Sequence, residues 1–221
     1  MTKLSKIALI FGLSAVGMAI WIALDLQRHV SSDLRAFDPE QVARLDTDMW
    51  RSYYDRERLK LFNQLVVLLR QQYHMTTTRS YVVAYHAAKA AFVFKDGKGR
   101  SDYERALPDL LAYYQAIRDT SQTPFDVARA ANLELEWWIV HRERKRHAPG
   151  DLDRALADLA AEIYQMPASK FAEHGRYRAE AMVIRDDRAE QGALSETDWN
   201  QIHDLLRRSW VSLWQAVNET P

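Results

Sequence analysis

Apolar positions along the chain fall into two regimes. Ile7 to Leu24 is a run of 18 residues without a charge, interrupted only by Gly12, Ser14 and Gly17. As a helix at 1.5 Å per residue it covers about 27 Å, close to the hydrocarbon thickness of a bilayer. Beyond it, apolar residues recur at helical spacing and are punctuated by Gly, Pro and capping residues. No stretch alternates with period two, so no strands are expected.

The helices follow from caps and periodicity. Asp38-Pro39 opens one expected to run to about Tyr73. It has an apolar stripe at Leu59, Phe62, Val66, Leu69 and Tyr73, and a second at Trp50, Tyr54, Leu61, Leu65 and Leu68. Thr78 to Phe94 is next, ended by a flexible turn from Lys95 to Arg100. Ser101 and Glu104 form a capping-box pattern for a helix to about Asp119, with Pro108 a kink in it. Further helices are predicted from Thr123-Pro124 to Arg146, Leu152 to Gln165, Pro167 to Glu190, and from Ser195 onward. The fold class is therefore all-α: a single N-terminal transmembrane helix followed by an antiparallel bundle or array of about seven helices. The intervals between caps are irregular, and the tetratricopeptide signature is missing. The expected domains are a stub and anchor over 1–26, a linker over 27–37 and one soluble helical domain over 38–221.

The apolar run is longer than the core of a cleavable signal peptide and ends without a small-x-small site, so it reads as a retained signal-anchor. Lys3 and Lys6 precede it, and Trp21 lies near its far end. Counting positive charges on the two flanks puts the N-terminus in the cytoplasm. In a bacterium, this makes the protein a single-pass inner-membrane protein whose C-terminal domain is periplasmic.

Composition narrows the function. The chain carries 30 Lys+Arg against 30 Asp+Glu, with no Cys. The balance argues against nucleic acid as a partner, and the absence of Cys excludes thiolate chemistry and Cys-ligated metals. The seven His show neither His-Glu-x-x-His nor Glu-x-x-His spacing, no Gly-x-Ser-x-Gly occurs, and no catalytic residue, metal site or cofactor is expected. The one dense basic cluster, His141 to His147, reads as cations in a last helical turn, facing the negative end of the macrodipole.

Interior charges are the informative feature. The helix from Pro167 carries a stripe of Phe171, Gly175, Arg178, Met182, Arg185 and Ala189, with Arg178 and Arg185 within an apolar face. The helix from Pro124 places Glu134 between Ala131 and Trp138, with His141 one turn on, and Glu57 falls on the Trp50–Tyr54–Leu61 stripe. Buried charges must be compensated. These arginines and carboxylates are therefore expected to meet each other, as a register-fixing network, or to surround an anionic ligand. Arg178, Arg185, Glu134, Glu57, His141 and Trp138 are the candidate ligand-binding residues. The two function classes are an interaction or scaffold module of the bacterial envelope, with an envelope protein as partner, and a small anionic ligand-binding protein or enzyme. The pairs Tyr53-Tyr54, Tyr113-Tyr114 and Trp137-Trp138 are candidates for a partner patch.

Overall fold

A computed structural model describes residues 3–28 and 31–219, with side chains from residue 11 onward in the first helix. Ten helices occur among the described residues: α1 (Lys3–Gln27), α2 (Pro39–Tyr54), α3 (Arg58–Gln72), α4 (Thr77–Asp96), the one-turn α5 (Arg100–Tyr103), α6 (Leu107–Thr120), α7 (Val127–Arg142), α8 (Asp151–Tyr164), α9 (Ala172–Gln191) and α10 (Glu196–Asn218). No strand occurs among them; one isolated parallel bridge joins Ser32 to Ser121.

Several boundaries follow the sequence signals. Asp38 caps α2, its carboxylate accepting from the backbone N–H of Glu40 (2.9 Å) and Gln41 (3.2 Å). Ser195 opens α10 with a full capping box: its hydroxyl accepts from Asp198 N–H, and the Asp198 carboxylate accepts from Ser195 N–H.

Others are corrected. The helix expected from Asp38 to Tyr73 is two helices. Arg56 takes a left-handed conformation (φ 61°), Glu57 N–H bonds Ser52 C=O (2.9 Å), and Arg56 N–H bonds Tyr53 C=O (3.3 Å). This is the Schellman closure, normally marked by glycine, so Arg56 left no signal in the sequence. Ser101 caps nothing: it lies inside α5, whose N-cap is Gly99, and a 3-10 turn at Glu104–Ala106 leads into α6 with Pro108 in its first turn. Asp126, not Thr123, caps α7, accepting from Arg129 N–H at 3.0 Å. A 3-10 turn at Ala168–Phe171 precedes α9. Residues 32–37, expected within a linker, pack into the body. Leu34 and Phe37 are buried, and Phe37 meets the Trp210 ring edge-on.

Packing follows chain order: α2 on α3, α3 on α4, α4 on α6, then α6 through α10 each on the next, and α10 returns onto α2 to close the circuit. The largest apolar cluster runs from Leu34 and Phe37 through α3, α4, α6, α7 and α8 to Leu213 and Val217 of α10. Trp50 of α2 bridges two smaller clusters, one between α7, α8 and α9 and one between α9 and α10. Helices α8 and α9 approach each other closely at Gly175, where a Cβ would lie 2.2 Å from the Asp153 carbonyl oxygen.

Helix α4 is capped at both ends by charges from elsewhere in the chain. Asp25, in the last turn of α1, accepts from Thr78 N–H at 2.6 Å. At the other end the Arg142 guanidinium donates to the carbonyls of Phe94 (2.7 Å), Lys95 (3.2 Å) and Gly97 (3.2 Å), and stacks over the Phe94 ring. An anion at the positive end and a cation at the negative end both complement the macrodipole. The basic cluster expected to face the end of its own helix is therefore corrected: Arg142 serves the end of α4, and Arg144, beyond the last turn of α7, pairs with Asp186, Asp187 and Glu190 of α9.

Helix α1 is different. Phe11, Leu13, Val16, Met18, Ile20, Trp21 and Leu24 are at least half exposed, and Asp25 in its last turn is buried. Among the described residues no helix is long and apolar enough to cross a membrane. The side chains of Ile7 to Ile10, which complete the expected span, lie outside the described residues.

Candidate functional site

The interior charges divide among separate sites, the first of them where α2, α9 and α10 meet. Arg178 of α9 forms a two-pronged ion pair with Asp46 of α2, its Nη1 on Oδ2 and its Nη2 3.4 Å from Oδ1. Trp210 Nε1–H donates to the same Oδ2 at 2.8 Å. The guanidinium carbon lies 5.6 Å from the Trp50 ring centre and 5.7 Å from that of Trp210. Asp46 is 5% exposed and Arg178 is half-buried, and the pair is held by charge-assisted bonds and indole faces.

Glu134 is satisfied separately. Its carboxylate accepts from Tyr114 Oη–H (2.7 Å) and Trp138 Nε1–H (2.9 Å). Burial raises its pKa above the usual carboxylate range, and the indole and phenol donors and the positive charge of Arg178 offset this only in part. No ion pair or hydrogen bond joins Arg178 to Glu134, so the expected Arg–Glu meeting is corrected to Arg178–Asp46. The stripe holding Trp50 and Tyr54 extends back to Asp46, not forward to Glu57. The signal was in the spacing, and the undetected break at Arg56 sent it the wrong way. Glu57 is exposed at the start of α3, bonded to Lys60 at 2.7 Å, and is no interior charge.

Arg185 and His141 belong to a second cluster. Arg185 donates to Asp186 (2.8 Å) and stacks on Tyr54, 3.1 Å from the ring centre. Burial raises the Tyr54 hydroxyl to about 12, against the pull of Arg185. Asp186 also pairs with Arg144, and His141 Nε2 lies 3.1 Å from it without hydrogen-bond alignment. Burial pushes Asp186 up, but His141, Arg185 and Arg144 hold it below the usual carboxylate range. Asp46 and Asp186, which pair with the two interior arginines, were both missed in the sequence. The expected aromatic patches are mostly interior: Tyr114 is buried, Tyr54, Tyr113, Trp137 and Trp138 are half-buried, and Tyr53 alone of the six is exposed.

His174, one position before Gly175, is buried against α10. Its Nδ1 lies 2.8 Å from Ser209 Oγ and 3.1 Å from Ser209 O. Burial lowers its pKa to about 4, aided by the charge of Arg178. The unfolded chain takes this proton near pH 6.5, so between about pH 4 and 6.5 the unfolded state binds more protons. Stability therefore rises with pH across that window and is lost as pH falls through it, by up to about 3 kcal/mol. Glu134 contributes with the opposite sign, because its raised pKa favours the folded state at low pH and this is lost as pH rises. Melting curves of the wild type and His174→Asn between pH 4 and 7 are expected to converge towards the acid end. Parallel curves would refute the neutral buried histidine.

A cleft of about 650 Å³ lies between the α7–α8 connection and α9, floored by Val140, Leu152, Ala179 and Ile184. None of the six candidate residues lines it. No cluster of three or more His, Asp or Glu suited to a metal ion occurs among the described residues. Fold and site together define a helical bundle whose interior arginines are paired within the protein. No family model, curated protein or solved structure matches the chain.

Proposed function

We propose that this chain is a single-pass membrane-anchored helical module that engages another protein of the cell envelope, with its helical body on the periplasmic side of a bacterial inner membrane. The observation that carries the reading is α1. Its apolar side chains from Phe11 to Leu26 point in all directions around the helix and are exposed, whereas a helix lying on a protein surface hides one face. Apolar all round over its described side chains and bonded to α4 through its last turn, it suits lipid. An interaction module is favoured over a ligand pocket because Arg178 and Arg185 each bond a carboxylate of the chain itself.

Alkaline carbonate extraction tests the anchor. The full chain is expected in the membrane pellet, and Leu13→Arg with Val16→Arg is expected to release it, each charge costing about 3 kcal/mol near the bilayer centre. Wild type washed into the supernatant would rule out the anchor. An alkaline phosphatase fusion at the C-terminus is expected to be active; an inactive fusion with cytoplasmic fluorescence from the equivalent reporter would reverse the orientation.

A further inference from the structure

Helix α4 begins where α1 ends. Thr78 N–H donates to Asp25 Oδ2 (2.6 Å), Arg79 Nη2 to Leu26 O (2.9 Å) and Thr76 Oγ1 to Asp25 O (3.3 Å). Asp25 directly follows Leu24, the last residue of the apolar run. The first three turns of α4 expose Tyr81 (47%), Val82 (44%) and Tyr85 (56%). Spaced by one and four, these three form a single patch, which continues onto α3 through Phe62, 6.1 Å from the Tyr81 ring.

We propose that this patch rests in the headgroup layer of the bilayer that α1 enters, so that the body is held against the membrane as well as tethered to it. The proposal rests on the anchor reading above. Position is its first support. Along α4, Tyr81 lies about 4.5 Å and Tyr85 about 10.5 Å from Thr78, which is bonded to the end of the span. The layer between hydrocarbon and water is about 5–10 Å deep, so these side chains stay at or beside it whichever way α4 tilts. Chemistry is the second. Tyrosine sets an apolar ring in the acyl boundary with its hydroxyl in the polar zone, and Val82 adds apolar area between the two. Charge is the third. Arg79 is at the same level, and Arg28 borders a cleft of about 330 Å³ with Trp21, Leu24 and Asp25, where a lipid phosphate would meet a cation beside an indole.

The chain has no cysteine, so single labelling sites are clean. Full-length Tyr81→Cys, Tyr85→Cys and, as a remote control on α9, Val183→Cys would carry an environment-sensitive fluorophore in vesicles of phosphatidylcholine and phosphatidylglycerol. A spin-labelled lipid with its nitroxide at headgroup depth is expected to quench positions 81 and 85 at least about twofold more than position 183. Equal quenching at all three, in protein that survives an alkaline wash of the vesicles, overturns the proposal, leaves the anchor intact and points to a protein as the occupant of the patch. Loss of the chain in the wash overturns the anchor reading, and the proposal with it.

Discussion

Arg178→Met is expected to destabilise the full chain by about 3–5 kcal/mol, because it leaves Asp46 buried with its charge uncompensated. For a protein of this length that corresponds to a fall in melting temperature of order 10 °C, measured by circular dichroism in detergent micelles. Trp210 Nε1–H would be the remaining donor on Asp46. The second variant that makes this a test is Asp46→Leu combined with Arg178→Met. Removing both charges from a buried pair is often neutral, so the double variant is expected to recover most of the loss, short of the orphaned Trp210 N–H. A ligand site would behave otherwise, because an arginine awaiting an anion is a liability in the unbound protein and its removal is stabilising. A melting temperature unchanged or raised in Arg178→Met would return that reading to the front.

Gly175→Ala is the other large effect. The new Cβ would sit 2.2 Å from the Asp153 carbonyl oxygen and 3.3 Å from the Ala157 nitrogen, both backbone atoms of α8. No side-chain rotation relieves this, so α8 and α9 must move apart and loosen the packing of Leu152, Leu156, Ala179 and Met182. Overpacking of this kind costs about 1–3 kcal/mol and occasionally more, and the better helix propensity of alanine returns about 1 kcal/mol at most. A net loss of about 2 kcal/mol, or roughly 4–8 °C in melting temperature, is the expected result. Gly99→Ala, where a Cβ meets nothing within 4 Å, is the matched control and is expected to be neutral. Equal melting temperatures for the two variants would refute the close α8–α9 contact.

Much of this architecture is local in origin and therefore readable. Asp38-Pro39 and Ser195 mark helix starts because a side chain within three residues satisfies the free N–H groups. Phe171, Gly175 and Met182 are buried where a period of 3.6 places them, whereas the last residue of that stripe, Ala189, is exposed. The break at Arg56 was not readable. A left-handed residue other than glycine is tolerated when the rest of the turn is held by packing and hydrogen bonds, and nothing in the local sequence announces it.

The amino-acid sequence by itself determined that the chain is helical, that it has one long uncharged run near its N-terminus, and that arginines and a glutamate fall on apolar faces. These are consequences of short-range spacing. Only the tertiary structure decided the partners: Asp46 for Arg178, Tyr114 and Trp138 for Glu134, Asp186 for Arg185 and Arg144, and Asp25 and Arg142 for the two ends of α4. Such pairs join residues as many as 132 positions apart. Periodicity says which way a side chain faces, whereas the closing of α10 onto α2 sets what it meets there.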